Sequence, residues 1–229
     1  MVICYFVKIK VSFFNYRVIV LIMPLVYQQN INEHAKIGVW HITESETFFS
    51  EKAAAQYIIN HPKKRVQHLA GRYLLKVIEG DFPVELIQIN QHGRPFLENK
   101  LFYFSIAHSD AYVSVIISTK NSVGVDIESP KPKIESIKEK FLSEYDINSL
   151  SKIDESNAYQ FTMGWCVKEA LYKWAGLSGI DFKLQLNINS VMKENDLYTI
   201  DCVIEKDSIK QHVVVNGIVL NGNILTWVC

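Results

Sequence analysis

Two carboxylates stand two residues apart in Ser122-Val123-Gly124-Val125-Asp126-Ile127-Glu128, a segment whose apolar and polar residues alternate as in a β-strand. The alternation sends Val123, Val125 and Ile127 to one face and Gly124, Asp126 and Glu128 to the other. Taken alone, such a pair is a solvated strand end. The chemistry it could do is hard-cation binding, because Mg2+ takes oxygen ligands, commonly one or two carboxylates completed by water and phosphate oxygens. Further along, Trp165-Cys166-Val167-Lys168-Glu169-Ala170-Leu171-Tyr172-Lys173 has helical spacing that puts Trp165, Glu169 and Lys173 on one face with Lys168 beside them. A Glu and a Lys four apart are an ordinary surface pair worth about 0.2–0.5 kcal/mol. Beside the strand acids, Glu169 becomes a third acidic ligand or a general base and Lys173 a counter-charge for phosphate. Two further groups are candidates for phosphate. One is Gly93-Arg94-Pro95-Phe96 with the strand that ends in Ala107-His108-Ser109; the other is the basic run Lys63, Lys64, Arg65 and Arg72, in which Arg65 and Arg72 share a helix face. By default these are a turn and a solvated helix face.

The elements that must position these residues follow from periodicity. Apolar residues recurring at three and four predict helices over 46–57 and 63–79, separated by His61-Pro62, and again around 134–142 and 156–174. Strands are predicted at 86–89, 101–106, 112–118 and 123–128, with a turn at 91–95, and the chain from Asp181 onward alternates as antiparallel strands. Helices, strands, helices, strands is the order of two α+β units rather than of a parallel α/β sheet. The division falls near Asn121, giving an N-terminal half at 23–120 and a C-terminal half at 121–229 that carries the acids, after an extension at 1–22. Lys8, Lys10, Asn15 and Arg17 break that extension into runs far shorter than the ~18 residues a membrane span needs. It is either an added strand or a leader ahead of a start at Met23. The 24 basic and 24 acidic residues cancel, which removes any whole-protein argument for nucleic acid or an anionic membrane. The cysteines have no C-x-x-C spacing, which suggests neither a zinc site nor a disulfide framework and fits a reducing cytoplasm.

In this order and spacing the pieces resemble the 4'-phosphopantetheinyl transferase superfamily, specifically the longer monomeric type that activates peptide and polyketide synthetases. The motifs that carry the resemblance are Gly93-Arg94-Pro95 with Ala107-His108-Ser109, then Gly124-Val125-Asp126-Ile127-Glu128, then Trp165-x-x-Lys168-Glu169-Ala170-x-x-Lys173. Lys64-Arg65 followed by His68-Leu69-Ala70-Gly71-Arg72 is similar to the family's upstream helix, and the resemblance runs from about residue 39 to 182. It implies a pseudo-twofold pair of similar α+β halves with coenzyme A and Mg2+ in the cleft between them. Asp126, Glu128 and Glu169 would hold the metal, and Asp126, Glu169 and Lys173 would be the catalytic groups, with Glu169 the base for a carrier-protein serine. Lys168 and Lys173 would assist the phosphates, and Arg65, Arg72, Arg94 and His108 would grip the 3'-phosphate and its neighbours. The implied partners are coenzyme A and an apo acyl or peptidyl carrier protein, served by a cytoplasmic monomer that binds neither nucleic acid nor membrane.

The carrier is expected to meet the segment after Glu128, through Phe141 and Leu142, with Lys131, Lys133, Lys138 and Lys140 facing its acidic helices. One position departs from the pattern: Ala107 stands where the family often has Ser, which implies the loss of a hydrogen bond worth about 0.5–1.5 kcal/mol near the phosphates or adenine. Two other readings of the acids stay open. One is a non-catalytic coenzyme A or carrier-binding module, which would need a broken acidic triad; the other is a Mg2+-dependent phosphohydrolase that uses water as nucleophile.

Overall fold

Each half of the chain lays one long helix on one antiparallel sheet. The computed structural model describes residues 24–53 and 59–229; the extension at 1–22 and the end of the helix expected at 46–57 lie outside them.

The N-terminal half runs β1 (Leu25–Asn30), β2 (Ala35–His41), α1 (Glu46–Ser50), α2 (Pro62–Ile78), a 3-10 turn at Val84–Leu86, the short ribbon β3 (Gln88–Ile89) and β4 (Pro95–Phe96), then β5 (Tyr103–Ser109) and β6 (Tyr112–Ser118). Its main sheet has the order β1-β2-β6-β5, antiparallel throughout. A two-residue turn joins β5 to β6, with Asp110 at φ 47° as such tight turns require. Pro62 opens α2 at the position where a missing N–H costs nothing. Leu69, Ala70, Leu74, Leu75 and Ile78 form its buried stripe against Trp40, Phe104, Val113 and Val115 of the sheet. Gly71 lets the helix come close, since a Cβ there would lie 2.9 Å from Ile106 Cγ2.

The C-terminal half begins with β7 (Gly124–Glu128) and continues through 3-10 turns at Pro132–Ser136 and Lys138–Lys140 to α3 (Glu144–Leu150), α4 (Asn157–Ala175), α5 (Phe182–Gln185), β8 (Leu186–Glu194), β9 (Leu197–Lys206), β10 (Ile209–Leu220) and β11 (Asn223–Val228). The sheet order is β7-β11-β10-β9-β8, so the strand that opens this half pairs with the one that closes it. Ser156 caps α4 by accepting from the Tyr159 N–H, and Gly176 ends it at φ 64° in the left-handed conformation. Met163, Cys166, Val167, Ala170 and Leu171 are fully buried, so α4 is a core helix whose polar residues are exceptions to be explained.

The halves meet where β5 lies against β7. Ser105 Oγ accepts from the Val125 N–H and Ser109 Oγ from the Ser129 N–H, both at 3.2 Å. A shared core of Ile37, Val39, Ala107 and Ile116 with Val123, Val125, Ile127, Leu225 and Trp227 closes around the junction.

The α+β class is borne out. The helix expected at 134–142 is instead the two 3-10 turns, followed by α3 over residues the periodicity had not marked. Ile134 and Ile137 are three apart, a spacing that suits the three-residue turn of a 3-10 helix as well as an α-helix, and Pro132 starts the turn. Ser143 and Asp146 then form a reciprocal capping box that begins α3. Among the described residues no helix is long and apolar enough to cross a membrane.

Candidate functional site

The acids come together because β7 presses against α4. Gly124 makes the approach possible: a Cβ on it would collide with the Ala170 carbonyl oxygen and lie 2.7 Å from the Trp174 nitrogen. The alternation read from the sequence holds, with Gly124, Asp126 and Glu128 toward the helix and Val123, Val125 and Ile127 in the shared core. Asp126, 7% exposed in its side chain, receives Lys173 Nζ on Oδ1 at 2.7 Å, and the same ammonium donates to the Val125 carbonyl at 3.1 Å. Asp126 Oδ2 is buried and, among the described residues, has no hydrogen-bond partner. Buried polar atoms are nearly always satisfied, so an exception is a place to look for a ligand. Glu128 accepts from Ser109 Oγ at 2.8 Å, a bond across the junction between the halves.

Glu169 accepts no hydrogen bond among the described residues. Burial pushes its carboxyl up to about 7; Lys173 works against that rise, and the charges of Asp126 and Glu128 add to it. Glu128 is raised for the same first reason, opposed by its bond from Ser109 and reinforced by Asp126. Burial disfavours the charge on Lys173, but Asp126 and then Glu169 outweigh that and hold its pKa above the ordinary value. One cation therefore sits among three acids that feel one another, an arrangement short of positive charge.

Glu169 and Tyr172 line two cavities. The first, of about 260 Å³, is walled by Asn90 and His92 to Pro95, by Phe104 to Ile106 of β5, and by Lys173 and Gly176 to Ser178 at the end of α4. Arg94 is displayed there by a tight turn in which Asn90 Oδ1 accepts from the His92 and Arg94 N–H groups, with Gly93 at φ 78°. Its guanidinium lies against Gly176 at the helix end, where a Cβ would collide with it. The second cavity, of about 670 Å³, is an open groove on the opposite side of Glu169, lined by Ile137, Lys140, Phe141, Trp165 and Gly179 to Phe182. The stripe Trp165, Glu169, Lys173 thus runs from one cavity to the other.

His108 stands at the exposed end of β5. Loss of hydration lowers its pKa first, Lys173 and Lys64 add to that, and Asp126 opposes it. Facing it on α2 is His68, which the sequence had marked only as part of the upstream helix. Burial, Arg72 and His108 drive its pKa down to about 4, so it stays a neutral acceptor for Arg72 Nε at 3.0 Å. Its spacing of four from Arg72 on one helix is a signal that pairs the two, whereas its approach to His108 of another strand is not legible in the sequence.

Of the residues expected to grip phosphate, Arg94, His108 and Lys173 face or border the cleft. The other three have partners within the fold. Lys168 is fully buried, and its ammonium donates to Asp146 Oδ2 and to the carbonyls of Phe141 and Phe182. Arg72, 1% exposed, turns into the core to reach His68 and the Val84 carbonyl. Arg65 forms a two-point pair with Glu46 at 2.7 and 2.9 Å and donates to the Ile59 carbonyl. The shared helix face of Arg65 and Arg72 does not survive, because each long side chain bends toward its own acceptor. Ala107 is buried in the core between the halves. Phe141 and Leu142 are buried as well, and of the four lysines expected to face a carrier, Lys131 pairs with Asp110 at 2.7 Å and Lys138 lies over the Phe161 ring.

For a metal, the donor chemistry fits: hard oxygens, an orphaned Asp126 oxygen and a local excess of negative charge. Among the described residues no three His, Cys, Asp or Glu side chains converge closely enough to form a closed ion cage. Mg2+ does not need one, since it keeps several waters and takes substrate phosphate oxygens alongside one or two carboxylates.

Residues 122–212 match the family model of the 4'-phosphopantetheinyl transferase superfamily, a stretch that begins with β7 and includes all of α4. A provisionally named 4'-phosphopantetheinyl transferase from Haemophilus influenzae is 32% identical over 134 residues, 55% of this chain and 56% of that protein. Another from Synechocystis sp. is 26% identical over 138 residues, again 56% of each. The alignments span just over half the length of these relatives.

Proposed function

We propose that this chain is a member of the 4'-phosphopantetheinyl transferase superfamily and transfers the 4'-phosphopantetheine arm of coenzyme A to a serine of an apo acyl or peptidyl carrier protein, releasing adenosine 3',5'-bisphosphate. The observation that carries the reading is the pairing of β7 with α4, which sets Asp126, Glu128, Glu169 and Lys173 around one acidic point bordered by both halves. We take the halves to divide near residue 120 and the protein to act as a cytoplasmic monomer.

In this mechanism Arg94, His108 and Lys173 hold phosphate oxygens at the first cavity. Asp126 and Glu128, with Glu169 beside them, are the groups that would hold Mg2+; bound there, the ion neutralises charge on the pyrophosphate. Glu169 takes the proton of the carrier serine as its hydroxyl oxygen bonds to the β-phosphorus and the phosphoanhydride P–O bond breaks. Lys173 pairs with Asp126 and faces the charge that collects on the leaving phosphate.

The test is intact-mass spectrometry of an apo carrier incubated with coenzyme A, Mg2+ and the protein. The expected result is a gain of one phosphopantetheine mass that disappears without metal and with Glu169→Gln. Coenzyme A binding without any gain on several carriers would favour the binding-module reading, and free phosphopantetheine without a modified carrier would favour the hydrolase.

A further inference from the structure

Lys168 immediately precedes Glu169, yet its charge is turned away from the cleft and removed from water. All three of its N–H bonds are occupied, by Asp146 Oδ2 at 2.6 Å and the carbonyls of Phe141 and Phe182 at 2.8 Å each. Asp146 is as fully engaged, with Oδ2 also accepting from the Ser143 N–H at 2.8 Å and Oδ1 from the Ile188 N–H at 2.7 Å. A buried ion pair is poor evidence of a stability device, because well-packed apolar residues usually serve as well or better. What a charged pair adds is direction, and here the directions are informative.

The two carbonyls belong to opposite walls of the groove beside Glu169. Phe141 ends the wall built by the 3-10 turn at Lys138–Lys140, and Phe182 ends the wall formed by residues 179–181. Neither wall is part of a sheet or a long helix, so neither has a ladder of its own to fix it. The ring of Trp165 contacts both, with centroids 5.0 Å from Phe141 and 5.6 Å from Phe182, and Tyr172 contacts Phe182 at 5.4 Å. The spacing of the aromatic pocket is thereby referred to one ammonium on the helix that also carries Glu169.

We infer that Lys168, clamped by Asp146, is a positioning residue that sets the separation of the two groove walls next to Glu169. It acts through the Phe141 and Phe182 main chain and touches neither substrate. That the protein substrate approaches Glu169 along this groove rests on the transferase reading; that the ammonium holds the walls does not.

The experiment compares the full chain with Lys168→Met and with Lys168→Met/Asp146→Asn, the second removing the buried carboxylate charge that the first would leave uncompensated. Amide hydrogen exchange is followed alongside transfer kinetics. In the folded double variant the amides of residues 138–142 and 180–184 are expected to exchange at least about tenfold faster while those of β9 to β11 keep their protection. The KM for the carrier is expected to rise by about tenfold while that for coenzyme A stays within about twofold. Unchanged exchange in both wall segments would overturn the inference, whatever the kinetics. Faster exchange with KM rising equally for both substrates would overturn it too, by showing a general loss of structure. If the unmodified protein neither binds coenzyme A nor modifies a carrier, the transferase reading falls, and the exchange data still decide the role of Lys168.

Discussion

The long helices of the two halves treat their charged residues in opposite ways. On α2, Arg65 is held by Glu46 and the Ile59 carbonyl, and Arg72 by His68 and the Val84 carbonyl, so the conspicuous cations of that helix are engaged within the fold. On α4, Lys168 is engaged in the same way, but Glu169 accepts no hydrogen bond among the described residues, and its neighbour Asp126 keeps one buried oxygen without a partner. A charge that the protein itself satisfies supports structure. A charge left unsatisfied in a cavity is held ready for something that arrives. The difference also separates two lysines five residues apart, Lys168 facing into the core and Lys173 facing the cleft.

The sharpest way to break the comparison is Glu169→Gln, which keeps size and removes the base. Transfer should fall by about 10²-fold or more, within the range that general bases contribute, while the melting temperature holds or rises. A variant that keeps its rate would take Glu169 out of the chemistry. Next comes the contact that builds the site. In Gly124→Ala the added methyl must push α4 away from β7, and the expected destabilisation is about 2–3 kcal/mol in urea unfolding. Carrier modification should fall with it even where the protein remains folded, because Asp126 then loses its place beside Lys173.

The supporting role assigned to α2 can be read from pH. His68 is neutral in the fold with a pKa near 4, below its ordinary value of 6.5. The unfolded chain therefore binds the extra proton first on acidification, so stability present above pH 6.5 is lost as pH falls from 6.5 toward 4. After discounting for its partial exposure the loss should be about 1–2 kcal/mol, and His68→Gln should flatten the unfolding curve over that window. An unaltered slope would mean that other groups govern it. The smallest effect belongs to Arg65→Met, which removes a partly exposed, solvent-screened pair and should leave stability almost unchanged. A rise of more than about tenfold in the KM for coenzyme A in that variant would return Arg65 to the phosphate site and narrow the contrast between the helices.

Much of the site was legible because its geometry is local. Strand alternation sufficed to put Asp126 and Glu128 on one face, and helical spacing to line up Trp165, Glu169 and Lys173; the α+β order of elements followed from the same periodicities. Local spacing could not say where a long flexible side chain ends. Lys168, Arg65 and Arg72 looked like ligands for phosphate, and each has an acceptor from elsewhere in the chain that periodicity does not reveal: Asp146 with the Phe141 and Phe182 carbonyls for Lys168, Glu46 for Arg65, and the Val84 carbonyl for Arg72, whose other partner His68 lies four residues back on the same helix. The turns that replaced the helix at 134–142 were ambiguous because a spacing of three suits both helix types. By itself the sequence determined which residue types face one another along each element, a matter of backbone repeat. The tertiary structure decided which charges remain available, because that depends on which carbonyls and carboxylates the packing of β7, α3 and the groove walls brings within 3 Å of each charge.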